Sequence, residues 1–210
     1  MGLNLSLYAA DFARLLALPV ERRVSALEDA VTPTHEAARD AADDRGWVWP
    51  PSMTRSTSGS APWCAEYRFL TTTGKYRPHS EAGDGWDDMR VHVEPVLRTA
   101  LDAVLDQLIW YRDPEDDPGA TGGGVLPAAR DPFRPQVLLV CPPSALARKA
   151  AGWSVARPRL AELREPFRVE CEGWAGRPAT FEAFTALVGE WADVVGQAAG
   201  RGWGLVGLPD

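Results

Sequence analysis

The chain has 210 residues, of which 45% are hydrophobic and 24% are charged, and these proportions are ordinary for a folded globular protein. They exclude a wholly disordered chain, a collagen-like repeat and a small domain held together by disulfides. The net charge is −7, and residues 81–120 account for the whole imbalance with 11 acidic and 3 basic side chains. Nucleic acid is therefore a poor partner, because an acidic chain without a basic run does not attract phosphate groups.

The cysteines and the N-terminal residues indicate the compartment. There are three widely spaced cysteines and no CxxC pair, which fits a reducing cytoplasm. The N-terminal stretch lacks the basic start of a secretory signal and reaches Asp11 and Arg14 too early for one. No apolar run approaches the roughly 20 residues that a membrane helix needs. We therefore expect a cytoplasmic protein with no membrane partner.

In the first third of the chain the sequence predicts a strand, several helices and an extended segment. Leu3, Leu5 and Leu7 alternate with polar residues, which is typical of a strand with one buried face. Residues 52–60 are rich in serine and threonine and are predicted to form a mobile loop. The predicted helices cover three stretches: 12–18, 20–31 and 34–45. Residues 64–73 then favour a strand or an extended segment, with Tyr67 and Phe69 at alternate positions.

The clearest predicted helix spans residues 94–111. Pro95 suits its first turn, and a wide apolar stripe follows. We expect this helix to be the central core element, packed on a sheet that contains residues 136–141. Those residues form an apolar run bounded by prolines, which is typical of a buried central strand. Residues 112–135 are rich in proline, glycine and aspartate and are predicted to form a second mobile loop.

The last third predicts short helices, a strand, a long helix and a final strand. Ser144 is expected to cap a short helix, and alternate Phe167, Val169 and Cys171 predict a strand. Thr180 suits the N-cap of a long helix that ends near Gly200. The whole pattern predicts one α+β (or open α/β) domain over residues 1–210. A small mixed sheet would contain the N- and C-terminal strands and pack with five or six helices.

The densest group of titratable side chains lies between residues 79 and 92. Its two imidazoles and four carboxylates are His79, Glu81, Asp84, Asp87, Asp88 and His92. Such groups can transfer protons, so His79, His92, Asp87 and Asp88 are candidate catalytic residues, and a shared site requires the two histidines to lie within about 12 Å. The same acids are also typical of a solvated turn. Their spacing fits neither a calcium loop nor an HxxxH pair, so no metal is predicted.

The glycine triplet Gly122–Gly124 does not predict a phosphate site. The lysine and the serine or threonine that complete a phosphate-binding loop do not follow it. No cofactor is therefore predicted.

The nine tryptophans are a second group of interest. Several of them lie in predicted loops or at element ends, where they act either as lids on the core or as an aromatic binding groove. Those tryptophans are Trp47, Trp49, Trp63, Trp86, Trp153 and Trp174. Together with the acidic stretch they favour a binding surface for a basic protein. The candidate binding residues are Trp86, Asp87, Asp88, Asp116 and Asp117.

Four stretches of the chain resemble the YfbM-like family of uncharacterised bacterial proteins. They are MGLNLSLYAADFARL, GWDDMRVHVEPVLRTALDAVL, VLLVCPPSALARKAAGW and FEAFTALVGEWADVVGQAAGRGWGLVGL. The resemblance implies a divergent actinobacterial member in which 112–135 is an insertion. It also implies that Trp86 and His92 correspond to the family's tryptophan and histidine beside a central helix. The implied fold is a compact α/β domain with no established activity.

Two functional hypotheses follow. The first is a non-catalytic binding or accessory protein, of the immunity or regulatory type, which presents its acidic face and loop tryptophans to a basic protein partner. The second is a small enzyme with a His/carboxylate site around residues 79–92. The sequence contains no known catalytic motif, which favours the binding protein.

Overall fold

The computed structural model describes residues 3–31, 46–49, 62–110, 124–127 and 137–209. In these ranges the chain forms one open sheet with the strand order β2-β3-β1-β5-β4. The strands are β1 (Leu5–Ala10), β2 (Trp47–Val48), β3 (Cys64–Tyr67), β4 (Leu139–Cys141) and β5 (Gly204–Pro209). All pairings among these strands are antiparallel, where a mixed sheet was expected.

Helices cover most of the remaining described chain. They are α1 (Phe12–Leu16), α2 (Arg23–Val31), α3 (Arg77–Met89), α4 (Pro95–Leu105), α5 (Pro143–Ala156), α6 (Arg164–Glu170) and α7 (Phe181–Gly200). Short 3-10 turns lie at Val20–Arg22, Arg90–His92 and Arg157–Leu163. The α+β class is therefore confirmed, and so is the prediction that the N- and C-terminal strands share a sheet. In the described ranges, no helix is both long enough and apolar enough to cross a bilayer.

The central strand β1 is buried on both faces. Leu5 and Leu7 face the main core, which the larger group of helices covers. Tyr8 and Ala10 face a second, smaller core that α1 and α2 cover. The predicted strand is confirmed, but the expectation of one buried face is wrong because α1 and α2 fold back over the other one.

The central helix α4 packs differently from the prediction. It lies in the main core, but its principal neighbour is α5, which in turn contacts α7 and β5. The order of the strands gives the reason. β4 is an edge strand and not a central one, and α5 follows it directly, so α5 takes the place next to the sheet that was expected for α4.

The helix α4 also ends earlier than its apolar stripe predicts. Lys149 of α5 is buried, and its ammonium group donates to the carbonyl groups of Ala103, Val104 and Asp106. These bonds satisfy acceptors that the end of a helix leaves open. Gln107 has a φ of 55°, which turns the chain. The apolar residues of the stripe that follow, Leu108 and Ile109, are buried in this turn and not in a helix.

Two local predictions in the last third are wrong. The segment around Phe167 and Cys171 is helical through Glu170, and Val169 is exposed. Phe167 and Cys171 are four residues apart, a spacing that places them on one face of a helix as well as of a strand. Ser144 does not cap α5, because the helix begins at Pro143. The N-cap of α7 is confirmed, since the Thr180 hydroxyl accepts from the backbone N–H of Ala183 at 3.1 Å.

Three predictions fall wholly or partly outside the described residues: the helix at 34–45, the loop at 52–60 and most of the loop at 112–135. Within the last of these, residues 124–127 are described. Leu126 is buried in the second core, and the Arg23 guanidinium donates to the carbonyl groups of Gly124 and Val125. This short part of the predicted loop is therefore anchored to the domain.

Candidate functional site

His79, a candidate catalytic residue, is fully buried in α3. The indole N–H of Trp191 donates to His79 Nδ1 at 3.0 Å, and Nε2 lies 3.2 Å from the hydroxyl oxygen of Thr72. An indole nitrogen can only donate, so Nδ1 must be the unprotonated nitrogen. The proton of the neutral ring is therefore on Nε2 and points to Thr72.

This arrangement fixes His79 as a neutral, structural histidine. Burial lowers its pKa from 6.5 to about 4. A ring whose Nε2 already carries a proton cannot accept a second proton from the Thr72 hydroxyl without becoming a buried cation. The Thr72–His79 pair is therefore not an activated nucleophile.

The buried histidine predicts a pH-dependent stability. Its pKa is lower in the folded than in the unfolded chain, so the unfolded chain binds the extra proton between pH 6.5 and pH 4. Above pH 6.5 the free energy of unfolding contains the full contribution of His79. It falls by about 3 kcal/mol as the pH decreases through this window. His79→Gln keeps a donor and an acceptor and removes the titration. Urea unfolding across this pH range should give a flatter profile for the variant, and His92→Gln is the matched control.

His92 lies far from His79, in the 3-10 turn that follows α3. Its Nε2 is 2.7 Å from Oε1 of Glu170 at the end of α6, and the pair is partly exposed. The two histidines are at opposite ends of α3, whose 13 residues span roughly 20 Å. The structure does not bring them together, so it contains no shared site of the kind that the two histidines suggested.

Trp86 belongs to a packed polar network, whose last member along the surface is the exposed carboxylate of Asp87. Trp86 is fully buried, and its indole N–H donates to Asp102 Oδ1 at 3.0 Å. Arg90 donates to both oxygens of Asp102, at 3.1 and 2.6 Å, and lies over the ring of Trp110. The Trp110 N–H in turn donates to Asp87 at 3.0 Å. The prediction of Trp86 as a surface binding residue is therefore corrected, because the side chain is part of the core.

Asp88 is held by an arginine from a distant part of the chain. Arg177 Nε donates to its Oδ2 at 2.6 Å, and Arg177 Nη1 lies 3.9 Å from Asp84. Asp116 and Asp117, the remaining predicted binding residues, lie outside the described residues. Among the residues that are described, no group of three or more histidine, cysteine or acidic side chains could hold a metal ion.

The nine tryptophans all lie within the described ranges, and Trp174 is the only exposed one, at 67%. Four are buried (Trp47, Trp86, Trp110 and Trp191), and four are partly buried (Trp49, Trp63, Trp153 and Trp203). Trp47 and Trp49 stack on one another, and their buried indole N–H groups find no hydrogen-bond partner among the residues that the structure describes. Most of these side chains therefore act as core or as lids on it, and Trp174 stands apart.

Trp174 lies in a turn, residues 171–178, that is fixed to α3 at both ends. The thiol of Cys171 contacts the carbonyl oxygen of Gly85 at 3.5 Å. A Cβ atom at Gly85 of α3 would meet Pro178 at 3.1 Å and Cys171 at 3.3 Å, so the turn packs closely against the helix there. Arg177 adds its bond to Asp88. The exposed indole is thus carried by a well-anchored segment.

Apolar and acidic side chains lie on the segments that adjoin this turn or contact it. The contact between His92 and Glu170 joins two segments that also carry the exposed valines Val91 and Val169. Trp174 follows Glu170 by four residues. We use the name Trp174 face for the exposed and partly exposed side chains that these segments carry: Asp84, Val91, His92, Val169, Glu170, Glu172 and Trp174.

The sequence pattern did not distinguish Trp174 from the five other tryptophans predicted in loops or at element ends. The signal that could have distinguished it is the pair of nearby glycines, Gly173 and Gly176. In the structure both adopt the left-handed backbone, with φ values of 80° and 77°. Two such glycines around a tryptophan are typical of a tight turn that displays a side chain.

Comparison with protein-family models, with curated proteins and with solved structures finds no match for this chain. The resemblance to the YfbM-like family therefore stays a prediction.

Proposed function

We propose that the chain is a non-catalytic binding protein that engages a basic protein partner through its acidic region, residues 81–120. The observation that supports this most is the engagement of the candidate catalytic groups in structural contacts. His79 is neutral and buried, His92 is paired with Glu170, and Asp87 and Asp88 hold Trp110 and Arg177. The charge excess of the region remains and favours a basic surface as partner.

The test of this function is a charge reversal that leaves the fold intact. Asp87 and Asp88 are unsuitable because their reversal would break bonds to Trp110 and Arg177. Asp116→Lys combined with Asp117→Lys changes the charge of the region without touching those bonds. The control reverses two exposed acids outside residues 81–120, Glu21→Lys and Asp29→Lys, which lie in or next to α2 on the other side of the sheet from α3 and α4.

A partner recovered from the source lysate at low salt is identified, purified and measured against both variants by surface plasmon resonance. We expect the double reversal of Asp116 and Asp117 to slow association by about tenfold at low salt, and the control to change it little. The association rate of the wild type should also fall as salt rises, because exposed charges are screened. Equal rates for the wild type and the reversed variant at both salt concentrations would contradict the proposal.

A further inference from the structure

We propose that Trp174 anchors the partner, and that its indole face takes an arginine or lysine side chain from a basic segment of that partner. The inference rests on the proposed function and names the surface and the chemistry that it uses. It is carried by the exposure of Trp174, by the way that this protein pairs its other tryptophans, and by the charge of the Trp174 face.

Trp174 is a large aromatic side chain that is exposed on a turn fixed to α3. Trp174 is 67% exposed, although Cys171 and Pro178, at the two ends of the turn, are buried. Burial of a large apolar side chain is worth a few kcal/mol, which Trp174 does not gain within the domain. Because the turn is already fixed to α3, a partner that covers the indole would lose little conformational entropy. Tryptophan is among the residue types that most often dominate binding energy.

Elsewhere in the protein, arginine side chains lie over the rings of several tryptophans. Arg90 lies 4.7 Å from the ring centre of Trp110, with a carboxylate bound to the same guanidinium. Elsewhere Arg14 lies 5.4 Å from Trp63, and Arg201 lies 4.7 Å from Trp49. No cation of the described chain lies over Trp174. As far as the described residues go, its face is open to a cation from outside, an interaction that is favourable for an indole.

The charged side chains around this indole are mostly acidic. Glu172 is exposed on the same turn, and Asp84 is 59% exposed on the neighbouring helix. Glu170 is a third acid and is paired with His92, while Arg177 is held by Asp88 and lies 3.9 Å from Asp84. Arg168 of α6 is also exposed and is held by Glu165, so the acids around the turn outnumber its arginines. Val91 and Val169 supply exposed apolar surface on which the aliphatic stem of an arginine or lysine can pack. Acidic groups beside an aromatic and an aliphatic surface fit a basic segment better than an acidic or a neutral one.

The test uses a fluorescein-labelled arginine-rich peptide as the probe and a glutamate-rich peptide of equal length as its control. Fluorescence anisotropy measures binding to the full chain at low and high salt. We expect the arginine-rich peptide to bind, Trp174→Ala to weaken binding by about tenfold, and Trp174→Phe to retain part of it. Leu70→Ala is the matched control, because Leu70 is 66% exposed on a different part of the surface, and it should bind like the wild type.

Trp174→Ala should keep the thermal stability of the wild type, because an exposed side chain contributes little to folding. Equal binding of the arginine-rich peptide by the wild type and Trp174→Ala would overturn this inference, as would no binding by the wild type. A dimer of the wild type that Trp174→Ala converts to a monomer would also overturn it, because a second copy would then cover the indole. The proposed function is judged separately, by the response of the purified partner to reversal of Asp116 and Asp117.

Discussion

Gly83→Ala should destabilise the protein by about 3 kcal/mol, although alanine is the better helix former by about 1 kcal/mol. A Cβ atom on Gly83 of α3 would lie 1.9 Å from the carbonyl oxygen of Ile109 and 2.8 Å from its carbonyl carbon. Both are backbone atoms, so no side-chain rotation can relieve the contact. The Ile109 backbone is also held in place, because its N–H donates to the carbonyl of Leu105.

Urea unfolding of Gly83→Ala and Gly189→Ala measures this effect with an internal control. Gly189 lies in the helix α7, and a Cβ atom added there meets nothing within 4 Å. That substitution should therefore stabilise the protein by about 0.5–1 kcal/mol. Opposite signs for the two variants are the expected result. A gain in stability for both would show that α3 and the turn after α4 do not approach as closely as described.

Leu101→Asp should have the largest effect of the variants considered, a loss of about 4 kcal/mol or more, because it buries an unpaired carboxylate. Leu101 is fully buried in the middle of α4. Thr99→Asp, an exposed position on the same helix, is the matched control and should change stability by less than about 1 kcal/mol. Thermal unfolding distinguishes the two. An unchanged melting temperature for Leu101→Asp would show that the helix is peripheral.

The elements that were predicted correctly are those whose own residues determine them. Thr180 and the long apolar stripe after it define α7, and a period of two defines β1. Predictions were wrong where one residue spacing fits both a helix and a strand, or where a residue distant along the chain determines the end of a helix. Phe167 and Cys171 fit a strand as well as a helix, and the end of α4 depends on Lys149, more than 40 residues further along the chain.

The residues of the candidate site were found more readily than their roles. His79 and Asp88 were selected as titratable side chains, but their partners lie 112 and 89 residues away along the chain. The protonation of His79 is decided by the indole of Trp191, and Asp88 is engaged by Arg177. Neither partner can be inferred from local spacing. Trp174 could have been selected from its flanking glycines, although its exposure could not, because it depends on how the turn lies against α3.

The pairing of β1 with β5 has a consequence for synthesis on the ribosome. Leu5 pairs with Pro209 and Ala10 with Gly204, so two adjacent central strands are separated by almost the whole chain. Closing a loop of about 200 residues is entropically costly, and contacts of such long range are associated with slow folding. The nascent chain must carry β1 with one edge unpaired until residues 204–209 have left the exit tunnel. An unpaired strand edge of this kind is a place at which growing chains can aggregate.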